Sequence, residues 1–429
     1  MLVSFSVKNY RSFAKKQTLS MVAGTSAKRS ERFSFPTFNA FSPDLLRAAC
    51  VFGSNGAGKS SLVKAMDFFG DFITSSAKST QEGEDIEVTP NLLVNGLKDK
   101  PSEFEIIFIY DEVLYQYGFV VDKNRVWSEW LFSKPNADKS RMRSLFHREF
   151  DPNNSSYNWD INNTFIKGEK EVWKKSTRSN ALFLSQAVQL NAEALKAPFE
   201  WVQKCLRVIS TDRLSLGFTA KQCVENGWKD KVLNLLQSVD IRIHDIDIQT
   251  KEFDMSDLPD EMSKELKEAL FENFKNQKGK TFRVDSVHKN DSGENVSLSF
   301  DDESDGTSVL FGLAGPWFDV LENGYTLVVD ELHNSLHPHA LKTMVGLFQD
   351  PKINKRNAQL IFTSHETSVM TKEFMHQDQL WLAEKGDDES TQLISLSEYK
   401  VRDISNFQKS YLAGRYGGVP RLKEFINGE

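Results

Sequence analysis

Apolar residues recur along this chain at two spacings. At 1–7 and 17–22 apolar and polar side chains alternate, the period of a half-buried strand, and the two stretches predict a pair of strands. The run at 44–52 is apolar with little alternation and predicts a fully buried strand. At 60–74, Leu62, Val63, Ala65, Met66 and Phe69 fall at helical spacing. After a polar loop, 104–110, 114–121 and 126–132 alternate again and predict an antiparallel meander that 144–150 extends. A further short strand is expected at 181–185, and polar stretches at 151–163 and 280–294 read as loops or exposed hairpin ends. The segment 258–277 reads as an amphipathic helix dense in Glu and Lys. A helix at 308–322 places Leu310, Leu313, Trp317 and Leu321 on one face, and 325–330 and 358–363 are short buried strands. No internal repeat or sustained heptad pattern occurs, so long coiled-coil arms are not expected.

Composition narrows the class. The chain has 429 residues, 39% hydrophobic and 26% charged, as in a soluble globular protein, and no apolar run is long enough to cross a bilayer. The alternating first residues do not read as a secretory leader. Cys50, Cys205 and Cys223 fit neither a disulfide framework nor a zinc site, which points to a reducing cytoplasm. The net charge of −7 argues against a protein that coats nucleic acid nonspecifically. Basic clusters at Lys15-Lys16, Lys28-Arg29 and Lys174-Lys175 with Arg178 keep DNA as a candidate partner.

The chemistry begins directly after the buried strand at 44–52. Gly53-Ser54-Asn55-Gly56-Ala57-Gly58-Lys59-Ser60 is a Gly-x4-Gly-Lys-Ser phosphate loop in a strand-to-helix setting. Such a loop turns successive backbone N–H groups and a helix N-terminus toward phosphate oxygens. The expected nucleotide-binding residues are Asn55, Gly56, Gly58, Lys59, Ser60 and Ser61, with the Ser60 hydroxyl on Mg2+. The strand at 325–330 ends in Asp330-Glu331, which places two carboxylates at a strand's C-terminal edge. Asp330 is expected to hold Mg2+ through water, and Glu331 to orient or deprotonate an attacking water. Strand 358–363 leads into Ser364-His365, whose imidazole is positioned to reach the γ-phosphate. Ahead of these, Ser304 and Gly306 open the helix at 308–322 and offer a second anion site. His333, His337 and His339 are better read as belonging to the turn and helix start after the acids than as a zinc set. The order of phosphate loop, Ser-x-Gly helix start, acidic strand end and strand with histidine is that of an ABC-type ATPase head.

Five blocks make the sequence similar to a known family: 4–13 (SFSVKNYRSF), 303–307 (ESDGT), 329–338 (VDELHNSLHP), 361–365 (IFTSH) and 411–417 (YLAGRYG). Together they resemble the RloA/AbiL-like ATPases of bacterial anti-phage systems, in the SMC, RecF and OLD branch of ABC-type ATPases. The resemblance runs over nearly the whole chain. It implies an α/β P-loop NTPase head with an N-terminal antiparallel β-meander and an embedded, mostly α-helical lobe. It also implies pairing of two copies, in which Lys59 and Ser60 of one bind ATP while Ser304 and Gly306 of the other close over the γ-phosphate. Residues 334–337 would form the D-loop contact, and Arg11 with Ser12 would touch the phosphates. Glu-Ser-Asp-Gly stands where transporters carry Leu-Ser-Gly-Gly-Gln, and Gln186 and Gln189 are both candidates for the Q-loop glutamine.

The expected division is 1–185 for a first ATPase lobe, 186–280 for a helical insert, and 281–429 for a second ATPase lobe. The expected function is an ATP-binding and hydrolysing regulatory or sensor subunit of a phage-defence system, as a homodimer or higher oligomer. By the resemblance it would control a separately encoded effector such as an RloB-like or TOPRIM nuclease. A RecF-like DNA-repair ATPase and an ATP-stabilised scaffold with little turnover are the competing readings.

Overall fold

The computed structural model describes residues 1–37, 43–136, 140–211, 214–252, 280–399 and 407–419. The expected helix at 258–277 lies outside them. The chain forms two compact units, the first from 1–210, 320–333 and 344–429, the second from 211–319 and 334–343.

The first unit contains two large sheets. One is antiparallel and seven-stranded, in the order Ser156–Ile161, Arg143–Asp151, Val126–Pro135, Val113–Val121, Ser102–Tyr110, Leu2–Lys8, Gln17–Ser20. Ser102–Tyr110 alternates buried and part-exposed residues, the period read from the sequence, whereas Leu2–Lys8, read as alternating, is buried at five of its seven residues. The other is six-stranded, in the order Leu206–Ser210, Thr326–Asp330, Gln359–Thr363, Ala48–Phe52, Leu380–Lys385, Thr391–Ser395. Its first five strands run parallel, and only Thr391–Ser395 is antiparallel to its neighbour. The strands Ala48–Phe52 and Gln359–Thr363 are buried at every residue, as central strands covered on both faces must be.

Helix Lys59–Ser75 follows the strand Ala48–Phe52 and packs on residues of both sheets. Phe69 meets Phe5 edge-on at 5.7 Å and stacks on Phe119 at 5.2 Å. One hydrophobic cluster therefore joins the meander, this helix and the parallel sheet, and fixes the helix whose N-terminus opens at the phosphate loop.

The second unit holds helices Leu216–Asn226 and Lys229–Ser238 and a sheet of Asp245–Glu252, Lys280–Lys289 and Asn295–Ser299. Helix Asp305–Asn323 begins in it, and its Gly312 and Gly315 allow close packing. Thr219 Oγ1 donates to Gly312 O at 3.1 Å and accepts from Gly315 N–H at 3.0 Å.

Several expectations are corrected here. The stretch expected as a strand at 181–185 enters the helix Phe183–Gln189, because a run buried on all sides has no readable period. Helix is selected by the Glu129 carboxylate, which accepts N–H bonds from Phe183 at 2.7 Å and Leu184 at 2.9 Å. The stretch at 280–294, read as a loop or exposed hairpin end, is the latter: the strand Lys280–Lys289 turns at 290–294 into Asn295–Ser299. The stretch at 151–163 is likewise a hairpin end, joining Arg143–Asp151 to Ser156–Ile161. Leu206–Ser210 pairs with Thr326–Asp330 and belongs to the first compact unit. The described part of 186–280 holds strands as well as helices.

Candidate nucleotide site

Parallel order carries three strand ends to one edge: Phe52, Asp330 and Thr363 terminate neighbouring strands of the six-stranded sheet. Residues after those ends converge at the rim where open α/β sheets bind ligands.

The phosphate loop turns between Phe52 and Lys59 with Gly56 at φ 76° and Gly58 at φ 105°, both in the region that side chains disfavour. Gly58 is also sterically closed: a methyl group there would collide with Thr391 Oγ1 and lie 2.6 Å from Ser12 Oγ. Thr391 Oγ1 donates to Ala57 O at 2.8 Å, and Thr391 N–H donates to Ser12 O at 2.7 Å, so both residues brace the loop. Asn55 and Gly56 are exposed at the loop crest, and space around Gly56 is open. Ser60 and Ser61 lie half-buried in the first helical turn.

Lys59 is the hub. Its side chain is only 4% exposed, and Nζ donates to Gly53 O at 3.1 Å and to His365 Nε2 at 2.8 Å. Glu331 Oε1 lies 3.9 Å from the same nitrogen. Burial lowers the Lys59 pKa, opposed by Glu331 and Asp330. Because an ammonium only donates, His365 Nε2 accepts and the ring proton sits on Nδ1. Burial first, then Lys59 and His333, push the His365 pKa down to about 4, so the ring is neutral near pH 7.

A depressed folded pKa sets the sign of a pH effect. The unfolded chain takes a proton on His365 near pH 6.5 while the folded chain resists until about 4. This contribution to stability is present above pH 6.5 and is lost as pH falls through that window. Denaturation midpoints measured from pH 7 to 4 are expected to fall less steeply in His365→Gln than in wild type.

Glu331 adopts φ 52°, a left-handed conformation rare for a residue with a side chain. Its N–H donates to Thr363 Oγ1 at 2.8 Å, and Thr363 Oγ1 in turn donates to Asp330 Oδ1 at 2.6 Å. His333 Nδ1 lies 3.4 Å from Glu331 Oε2, and the His333 and His365 rings meet edge-on at 5.4 Å. Burial and Lys59 lower the His333 pKa as well.

The structure thus brings Lys59, Asp330, Glu331 and His365 together. Arg11 is exposed, at φ 49°, with its guanidinium 5.6 Å from the Tyr10 ring centre. Ser304 and Gly306 belong to the second unit, where Ser304 Oγ accepts from Thr307 N–H at 3.2 Å and caps its own helix. A methyl group on Gly306 would lie 2.6 Å from Ser335 O, so the helix start is held tight against the 334–337 segment. Gln186 is buried and Gln189 exposed, both in the helix Phe183–Gln189. Sequence reasoning placed His333 in the turn after the acids without a role beside Glu331, and did not assign Thr363 or Thr391. Thr363 had a signal, since it adjoins a motif already singled out, whereas Thr391 lies on an edge strand far along the chain with none.

The residues fit a triphosphate with a divalent ion. The loop offers N–H groups and an open crest, and Ser60 and Asp330 supply the hard oxygen donors that Mg2+ takes. Among the described residues no group of three or more His, Cys, Asp or Glu side chains could hold a metal alone, so the phosphates would complete its shell. No helix among the described residues is long and apolar enough to cross a membrane.

A family model described as "AAA domain, putative AbiEii toxin, Type IV TA system" matches residues 48–203 and 231–371. No curated protein matches. Solved structures similar to this chain include "Structure of the recombination mediator protein RecF-ATPrS in RecFOR pathway", at 13% identity over 92% of this chain and 98% of that one, TM-score 0.29. A second, "Structure of the recombination mediator protein RecF-ATP in RecFOR pathway", has 13% identity over 92% and 99%, TM-score 0.30.

Proposed function

The chain belongs to this AbiEii-type AAA-domain family, and on that footing we propose that it binds and hydrolyses ATP as the regulatory or sensor subunit of an anti-phage defence system. The observation that carries the enzymatic part is the Lys59 ammonium, bonded at once to the loop carbonyl of Gly53 and to His365, with Glu331 beside it. A glycine loop, an acidic strand end and a histidine strand end meet at one cation.

In this reading Lys59 binds the outer phosphates, and Ser60 and Asp330 hold Mg2+. The ion, when bound, screens phosphate charge as a Lewis acid. Glu331 orients the attacking water, and neutral His365 offers a hydrogen-bonding ring rather than a second cation. Asn55, Gly56, Gly58 and Ser61 line the phosphates through the loop and first helical turn, and Arg11 contacts them from the side. Two copies close over the nucleotide, Ser304 and Gly306 of one facing the γ-phosphate bound by the other. Closure driven by contacts that only ATP supplies, and released on hydrolysis, gives a switch that a separate effector can read. By the RloA/AbiL-like resemblance that effector is an RloB-like or TOPRIM nuclease in the same cytoplasm.

Lys59→Ala is expected to weaken MgATP binding at least tenfold, measured by calorimetry, and to abolish phosphate release. Unaltered turnover in that variant would sink the ATPase reading. Stimulation of turnover by DNA, sensitive to salt, would instead favour the DNA-repair reading. Co-purification of a neighbouring gene product from infected cells tests the effector.

A further inference from the structure

Thr363 is fully buried, and both hydrogen bonds of its hydroxyl cross to the neighbouring strand end: the proton goes to Asp330 Oδ1 at 2.6 Å, and a lone pair receives Glu331 N–H at 2.8 Å. Its carbonyl also accepts from Leu332 N–H at 3.1 Å. Three consecutive residues, the two acids and the one after them, are tied to this single residue.

The tie has a geometric consequence. Glu331 stands at φ 52°, a left-handed conformation that is strained for a residue with a Cβ. Its amide is held there by the Thr363 hydroxyl. The same hydroxyl fixes one Asp330 oxygen, and with it the plane of the carboxylate. We infer that Thr363 is a positioning residue that sets the metal-side carboxylate and the water-side carboxylate together, through one hydroxyl. The inference rests on the ATPase reading above, but makes a claim about this hydroxyl that the reading does not.

Thr363→Val keeps the shape of the side chain but removes both bonds, which leaves the Glu331 N–H and Asp330 Oδ1 without the hydroxyl. Partners that orient metal ligands typically govern ten- to a hundredfold in affinity or activity. The Mg2+ concentration for half-maximal turnover should rise about tenfold and kcat should fall about ten- to a hundredfold, with KM for ATP changed less than about twofold. Thr363→Ser, which keeps the hydroxyl, should restore most of both. Mn2+ binding in the presence of adenylyl imidodiphosphate, followed by electron paramagnetic resonance, reads the same effect without turnover and should weaken in Val but not in Ser.

If Val binds Mn2+ and turns over like wild type, the inference is overturned while the ATPase reading stands. If Ser is impaired and melts early while Val behaves like wild type, Thr363 only fills space. Wild-type protein that binds Mn2+ and nucleotide but never releases phosphate removes the ATPase reading, and the Mn2+ measurement still judges Thr363. Absence of any metal and nucleotide binding in wild type overturns both.

Discussion

Glu331→Gln should lower steady-state phosphate release by about 10²- to 10⁴-fold while leaving MgATP binding intact. The amide keeps the size of the carboxylate and its place at φ 52°, and its backbone bond to Thr363 does not depend on the side chain. What is lost is a negative charge between Lys59 at 3.9 Å and His333 at 3.4 Å, where a water would be oriented or deprotonated. With hydrolysis blocked, ATP should hold two copies together, so subunit mass measured by light scattering with MgATP should rise in the variant above the wild-type value. Wild-type turnover in Glu331→Gln would remove this residue from its role, and an unshifted mass would remove the paired-head switch.

Glu129→Ala should destabilise the first unit by about 3–5 kcal/mol. Glu129 and Arg148 form an ion pair at 2.9 Å with both side chains 0% exposed. The carboxylate also accepts from Tyr117 Oη at 2.9 Å and from the amides of Phe183 and Leu184. Arg148 donates to Ala181 O and lies 5.1 Å from the Tyr157 ring centre. Truncating Glu129 strands a guanidinium in the core and uncaps a helix at the same time, and each is costly because neither group can reach water. Thermal melting should move down by on the order of 10 °C. Combining Glu129→Leu with Arg148→Met should recover only the part of the loss due to the stranded guanidinium, because Tyr117 Oη and the amides of Phe183 and Leu184 stay unpaired. A single Glu129→Ala variant that melts with wild type would show that water reaches the pair.

The helix at Phe183–Gln189 shows where sequence reading ran out. A stretch buried from Ala181 through Ala187 has no polar side chain frequent enough to mark a face, so strand and helix fit it equally. The deciding group, Glu129, lies on the third strand of the meander and is adjacent only after folding. The strand Lys280–Lys289 was legible only as a loop or exposed hairpin end, because its residues are polar where much of its sheet faces water and its pairing comes from backbone bonds that side-chain pattern does not encode. The chain's division into units was similarly hidden, since Leu206–Ser210 is assigned by its partner strand and not by its own composition.

What the sequence determined by itself is local: a glycine loop whose φ values need glycine, a helix whose apolar stripe begins at Lys59, a meander whose side chains alternate, and two buried strands ending in Asp330-Glu331 and next to His365. Each depends on neighbours within a few residues, and period, turn chemistry and motif spacing record such neighbours. Tertiary structure alone decided that Thr363 ties both acids, that Ser12 and Thr391 close on Gly58, and that Lys59 leaves His365 to accept a proton bond. Those contacts join residues tens to hundreds of positions apart, and their distances exist only once the parallel sheet has put the strand ends side by side.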